Sequence, residues 1–262
     1  MRYINWNIKC TSNTEKIISL INSMVTPKEC IIALQEVMPN AYELIKNQFG
    51  DDYHIEYSLD YRKPSEFDTN NRRLGVVILI SRDLILSDAG VIERNVFPDR
   101  TLYAVTEYKG KELKIVALHS ITGVSYKMAK SAQFRTFAEY VRECKPDIVS
   151  FDANEPKLDH YDIAQMKFFD QGQGEGGKGA RLFFEELNNQ QLRDAFIDNY
   201  DISQYVEGEP LTVSHIIGST KAKRRYDFVF ARQDLKVLNV SYHYEEAIEA
   251  SSDHAMVVVD FE

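Results

Sequence analysis

Short apolar runs with the spacing of β-strands recur along this chain, and several of them end in a carboxylate, an amide or an imidazole. IIALQEV carries Glu36, LKIVALHS carries His119, and DIVSFDANEP carries Asp152 and Asn154. RRYDFVFA carries Asp227, and SSDHAMVVVDF carries Asp253 and His254. Apolar runs of this length bounded by polar residues are core strands. A carboxylate gains nothing from the interior its strand enters, so the fold has to bring these strand ends to a place where they are satisfied.

The order of the runs narrows the architecture. In the first strand Ile4, Trp6 and Ile8 take one face and Tyr3, Asn5 and Asn7 the other. Ser12 with Glu15 has capping-box spacing, and Ile17, Leu20, Ile21 and Met24 follow as a helical stripe. Cys30 to Leu34 reads as a buried strand, and Ala41, Leu44, Ile45 and Phe49 as the next helix. Strand-like runs then succeed one another at about 53–59, 75–81, 102–108 and 113–119, with a hairpin expected around Gly110. A helix over 125–143, with Phe134, Phe137, Ala138 and Val141 on one face, delivers the chain to the strand before Asp152. The glycine-rich DQGQGEGGKGAR and a helical stripe of Ala180, Phe183, Phe184 and Leu187 come next. Strands are expected again near 226–231, 235–243 and 255–261. No Pro/Ser-rich linker, repeat or low-complexity block divides the 262 residues, so residues 1–262 are read as one domain. Mixed runs of strands with helices before and between them predict an α/β fold in which two packed sheets are covered by helices on their outer faces.

Hydrophobic residues at 44% and charged residues at 27% are ordinary globular usage and argue against disorder. The first ten residues hold no apolar stretch of signal-peptide length, and no run of about 18 apolar residues occurs. A soluble, cytoplasmic protein without membrane insertion is expected. Cys10, Cys30 and Cys144 are odd in number, widely spaced and flanked by apolar residues, as buried free thiols are. The formal charge of −9 disfavours indiscriminate binding to polyanions, but leaves room for a local basic cleft or a bound cation that reverses the sign.

Any one of Asn7, Glu36, His119, Asp152, Asn154, Asp227, Asp253 and His254 could end a strand or cap a turn. Together they would leave buried charges unpaired unless they share a ligand. A hard divalent cation is the economical one: carboxylates, an amide and water suit Mg²⁺ or Mn²⁺, whereas the thiolate clusters and His pairs of zinc sites are missing.

The ordered series NWNI, LQEV, HS, FDANEP, RRYDFVF and SSDHAMV resembles the endonuclease/exonuclease/phosphatase superfamily over nearly the whole chain. The resemblance implies a four-layer α/β/β/α sandwich with two central mixed β-sheets and an active site at one end of them. It implies that Asn7 and Glu36 hold the metal, with Asp253 adding a carboxylate near it. Asp152 would orient and deprotonate the attacking water, and Asn154 would fix its position. His254, oriented by Asp227, would donate to the phosphate, and His119 would contact another phosphate oxygen or help the leaving group. Two departures stand out. Phe151 replaces the glycine usual before the central aspartate, and no acidic residue near NNRRLGVVILIS is placed to support His119, where the chain has Arg72 and Arg73.

Basic residues cluster in STKAKRRYD and around Lys178 and Arg181, a local positive rim of the kind that recognises a phosphate backbone. Arg73, Arg181 and Arg225 are the expected phosphate-binding residues. The chain is therefore read as a metal-dependent phosphoesterase with nucleic acid, DNA or RNA, as its substrate. A small nucleotide, sugar phosphate or phosphoinositide is the alternative, and a non-catalytic binding scaffold a second one.

Overall fold

The computed structural model describes residues 1–25, 28–63, 74–126, 128–169 and 178–262. β1 (Arg2–Asn7) leads through α1 (Thr14–Met24) into β2 (Cys30–Val37) and α2 (Pro39–Phe49). β3 (Tyr53–Tyr57), the single turn α3 (Ser58–Tyr61), β4 (Gly75–Ser81), β5 (Leu86–Gly90), β6 (Thr101–Tyr108) and β7 (Lys111–His119) follow. The short α4 (Gly123–Tyr126) and the long α5 (Met128–Cys144) precede β8 (Ile148–Asp152). Next come α6 (Lys178–Asn189), β9 (Leu192–Asp194), β10 (His215–Ile216) and β11 (Lys223–Arg224). β12 (Asp227–Arg232), β13 (Val237–His243), α7 (Tyr244–Glu249) and β14 (Met256–Phe261) complete the chain.

Twelve strands form two six-stranded mixed sheets, in the orders β13-β14-β1-β2-β4-β3 and β5-β6-β7-β8-β12-β9, and β10 and β11 make a separate ribbon. In each sheet one parallel pair lies among antiparallel ones, β1 with β2 and β7 with β8. Three apolar layers separate the elements. Ile4, Trp6, Ile32 and Leu34 pack under α1, α2 and α7, whereas Tyr3, Ile31, Ala33, Ile115, Ala117 and Val229 fill the space between the sheets. Phe134, Phe137, Phe151, Phe183, Phe184 and Phe228 join α5 and α6 to the outer face of the second sheet. The strand alternation read from β1 thus holds, and the order of layers is α/β/β/α. Among the described residues, no helix is long and apolar enough to cross a membrane.

Local chemistry explains where the elements differ from expectation. The N-cap of α1 is Asn13, whose Oδ1 accepts from Lys16 N at 3.2 Å, in place of Ser12. Leu44 lies on the exposed side of α2, and Tyr42 takes the buried place beside Ala41, Ile45 and Phe49. The hairpin at Gly110 forms as predicted, Lys109 and Gly110 both having positive φ between the paired Tyr108 and Lys111. The three cysteines are free thiols; Cys30 is buried, Cys10 and Cys144 only partly so. Phe151 points away from the sheet interface and stacks on Phe228 at 5.4 Å between ring centroids, against Phe183 and Phe184 of α6. A glycine there would leave α6 without its central contact.

Arg225 is not a surface residue and does not serve as a phosphate ligand. It is fully buried; its Nε and Nη2 donate to Asp159 at 2.8 and 3.1 Å, and its Nη1 donates to Asp194 at 2.7 Å. Its guanidinium lies 4.5 Å from the ring centroid of Phe228. Fully buried, with its Nε/Nη2 edge on one carboxylate and Nη1 on another, this arginine staples β9 and the loop after β8 to the start of β12. Removing it strands two buried carboxylates. Arg225→Ala is expected to cost about 3–5 kcal/mol, read by denaturant unfolding of the folded protein. At the contact of α5 with α6, a Cβ on Gly179 would lie 2.4 Å from the backbone oxygen of Ser131. Gly179→Ala is therefore expected to force the helices apart at a cost of about 1–3 kcal/mol, visible as a Tm lowered by several degrees.

Candidate active site

Between the sheets the side chains of β1 change character along the strand. Tyr3 Oη shares a 2.8 Å hydrogen bond with Ser150 Oγ of the opposite sheet. Two residues on, Asn5 accepts from Gln35 Nε2 at 2.8 Å and donates to the Phe228 carbonyl at 3.3 Å. Two further, Asn7 Nδ2 donates to Asp152 Oδ2 at 2.9 Å and to Glu36 Oε1 at 3.3 Å. Period-two alternation aims all three at the second sheet, and the last of them reaches its open end.

Strand register does the rest. His119 pairs with Asp152 across the parallel β7–β8 ladder, and Asp152 pairs with Asp227 across the antiparallel β8–β12 ladder. Three neighbouring strands thus contribute one residue each to a single row. Glu36 arrives differently. Alternation would turn it toward α1 and α2, but the β2–β4 register shifts between Leu34 and Val37 and Glu36 adopts φ +59°. This bulge puts Gln35 and Glu36 both on the inner side, leaving Val37 to resume the outer face.

The resulting cluster is tied by polar bonds. Glu36 Oε2 accepts from the Cys10 N–H at 3.0 Å, and Glu36 Oε1 lies 3.5 Å from His119 Nε2. Burial opposes the charge on Glu36, yet the nearby imidazoles, the Cys10 N–H and the Asn7 amide outweigh it, and its pKa is lowered. Asp152 Oδ1 accepts from the Asn154 N–H at 2.9 Å, and Asn154 Nδ2 donates to the Ser120 carbonyl at 3.0 Å and to Asp152 Oδ2 at 3.3 Å. Asn154 has φ +49°, a conformation asparagine tolerates. Burial raises the pKa of Asp152, with the negative charge of Asp227 adding to it against the opposing pull of His254.

The two imidazoles sit in opposite surroundings. His254 Nδ1 is 2.9 Å from Asp227 Oδ2; burial alone would depress its pKa, but the Asp227 and Asp152 carboxylates push it up to about 10. His119 Nδ1 is instead 2.9 Å from Arg100 Nη1, and burial together with the Arg100 charge pushes its pKa down to about 4. Asp227 Oδ1 is buried with no hydrogen-bond partner among the described residues.

Of the sequence-predicted residues, Asn7, Glu36, His119, Asp152, Asn154, Asp227 and His254 meet in this cluster. Asp253 is at its rim, its Oδ2 3.5 Å from Lys9 Nζ. Ligand atoms of Asp152, Asp227 and His254 lie within 4.8 Å of one another, as do those of His215, Asp253 and His254. Arg181 is partly exposed, donates to the Met166 carbonyl at 3.0 Å and pairs with Glu185 at 3.7 Å. Arg73 and residues 170–177 of the glycine-rich stretch lie outside the described residues. Three participants carry no sequence signal. Arg100 comes from a 3₁₀ turn (Pro98–Arg100) before β6. His215 on β10 has its ring 4.4 Å from that of His254 and its Nδ1 2.9 Å from the Asp253 carbonyl. Cys10, three residues after Asn7, holds Glu36 by its backbone N–H.

The donor set can hold a hard divalent cation. Carboxylate oxygens of Glu36 and Asp152 converge on the Asn7 amide, Asp227 Oδ1 has no partner among the described residues, and the Nδ1 atoms of His119 and His254 are already engaged. The Asn7 oxygen accepts from the Lys9 N–H at 2.9 Å, so it would face such an ion only after its amide turned over.

No family model matches the sequence, and no curated protein matches it at a significant level. Solved structures do match, over 100% of this chain. D. rerio TDP2, complexed with a single-strand DNA product, has 13% identity, TM-score 0.65 and 98% of its chain covered. The 3′ phosphatase NExo from Neisseria, bound to a product DNA hairpin, has 16% identity, TM-score 0.67 and 99% covered. The human Nocturnin catalytic domain, with a bound sulfate anion, has 15% identity, TM-score 0.68 and 94% covered. Two facing six-stranded sheets between helical layers, matched end to end in all three, give this chain the fold of the endonuclease/exonuclease/phosphatase superfamily.

Proposed function

We propose that this protein is a metal-dependent phosphoesterase that hydrolyses phosphodiester bonds in nucleic acid. The observation that carries the reading is the buried cluster in which Asn7, Glu36, His119 and Asp152 meet from both sheets beside the Asp227–His254 pair. Carboxylates are gathered at one mouth together with an imidazolium, an arrangement suited to an anionic substrate whose charge grows as it reacts.

Asp152 is the base. Its raised pKa suits it to take a proton from water, and Asn154, bonded to it twice, holds that water's acceptor in place. The water oxygen forms a bond to phosphorus as the bond from phosphorus to the ester oxygen breaks, the attacking proton passes to Asp152, and the departing oxygen takes a proton from solvent water. His254, kept cationic by Asp227, donates from Nε2 to a phosphate oxygen as charge builds. Glu36 and, with its amide turned over, Asn7 would hold a Mg²⁺ or Mn²⁺ ion with Asp253 nearby, and the ion would supply Lewis-acid neutralisation of charge on the phosphate oxygens. Residues 1–262 act as one catalytic domain.

Nucleic acid is favoured by the ribbon of β10 and β11. It is rooted at the site by the His215–His254 bridge and carries exposed Lys221 and Lys223 with Arg224. Partly exposed Arg181 is retained as a further phosphate contact, and the DNA products in the TDP2 and NExo structures point to the same substrate class. Plasmid, single-stranded DNA, RNA and a panel of small phosphate esters, each with Mg²⁺ or Mn²⁺, test the reading. Cleavage of a nucleic acid is expected, with Asp152→Ala slower by about 10²-fold or more. Turnover of the small esters alone would reassign the substrate, and inactivity on all of them would overturn the proposal. Calorimetric titration with Mn²⁺ is expected to show binding that Glu36→Gln weakens by at least about tenfold.

A further inference from the structure

We propose that Arg100 is a positioning residue that fixes His119 in the tautomer with its proton on Nε2, making this imidazole a hydrogen-bond donor to the substrate and not the acid that protonates the leaving group. The inference follows from the direction of one hydrogen bond. Guanidinium has five N–H donors and no acceptor, so the 2.9 Å contact of Arg100 Nη1 with His119 Nδ1 requires a lone pair on Nδ1. The ring proton is then on Nε2, the nitrogen 3.5 Å from Glu36 Oε1 and 3.9 Å from Asp152 Oδ2. His119 thus aims an N–H at the space between the two carboxylates where the phosphate would lie.

The arrangement is built. Both partners are buried, with side chains 4% and 6% exposed. Asp99 Oδ2 lies 3.6 Å from Arg100 Nε, and Asp99 is itself buried. The His119 carbonyl accepts from Gln133 Nε2 at 3.2 Å, so α5 holds the backbone while Arg100 holds the ring. His254 has the reverse arrangement, its Nδ1 donating to the Asp227 carboxylate. One site therefore holds two imidazoles of different kind, and the proton taken by the leaving oxygen comes from a group other than His119.

For its catalytic consequence the inference rests on the phosphoesterase reading; the tautomer does not. Long-range ¹H–¹⁵N spectra of ¹⁵N-histidine-labelled protein at neutral pH read the tautomer directly, and His119→Gln identifies which of the six histidines is His119. The Nε2–H pattern is expected for His119, with a shift toward a tautomer mixture in Arg100→Met. An Nδ1–H or a doubly protonated His119 in the wild type would overturn the assignment, whether or not Arg100→Met folds. In kinetics, Arg100→Met is expected to lower kcat about tenfold or more with KM changed less than about threefold, and Arg100→Lys to recover most of the loss. His119→Gln, which keeps a neutral donor near the Nε2 position, is expected to lose less than His119→Ala. Equal losses in these two, or an unchanged kcat in folded Arg100→Met, would sink the catalytic part. Absence of any turnover by the wild type would instead count against the phosphoesterase reading and leave the spectra to decide the tautomer.

Discussion

A single amide joins the two sheets where they would otherwise repel. Asn7 Nδ2 donates to Glu36 from its own sheet and to Asp152 from the opposite one. Two carboxylates about 4 Å apart at an effective dielectric of about 20 repel by roughly 4 kcal/mol, and Asp227 adds a third charge beside them. A neutral amide eases this contact without cancelling it. The compensation comes from His254 and, behind His119, from Arg100. A mouth built this way has little to gain from further anionic protein groups and much to gain from a cation, which is the physical ground for reading it as a site for a divalent ion and a phosphate.

The remainder of the fold serves to deliver those groups. The interface between the sheets is apolar for most of its length and turns polar at one end, in steps of two residues along β1, from Tyr3 to Asn5 to Asn7. Elements far from the chemistry supply the rigidity. Gln133 holds both the His119 carbonyl and the Ile121 N–H, and Lys130, nearly one helical turn before it, donates to the Asn154 carbonyl at 2.7 Å and to Glu155 at 3.1 Å. Helix α5 thus grips the ends of β7 and β8 with two buried side chains on one face.

Alternation in β1, the hairpin at Gly110 and the aromatic stripes under α5 and α6 were legible because each is a local pattern repeated over several residues. The polar strand ends were legible as a set for the same reason. What decides their geometry was not. The bulge at Glu36 contradicts the alternation of its own strand, and nothing in LQEV announces a left-handed residue. The row of His119, Asp152 and Asp227 depends on register between strands more than thirty residues apart in places. Arg225 misled because charge in a sequence carries no direction: Lys223 beside it is exposed, whereas Arg225 is sealed between Asp159 and Asp194. His215 and Arg100 were missed because each reaches the site from a short irregular segment.

That Arg100, and no acid among the described residues, stands at His119 Nδ1 is where the sequence and the structure instruct each other most. Read as a defect, it would remove His119 from the chemistry. With Arg100 in place it becomes a difference of kind. Imidazole against carboxylate, as in His254 and Asp227, is pushed toward the cation; imidazole against guanidinium, as in His119 and Arg100, is pushed toward the neutral ring. Environments that drive two like groups apart are how one site separates charge stabilisation from neutral hydrogen bonding. A second cation at His119 would compete with a metal for the same carboxylates, whereas a neutral N–H leaves Glu36 and Asp152 their full negative charge. In the proposed reading Arg100 would thereby keep the anionic mouth open to a cation.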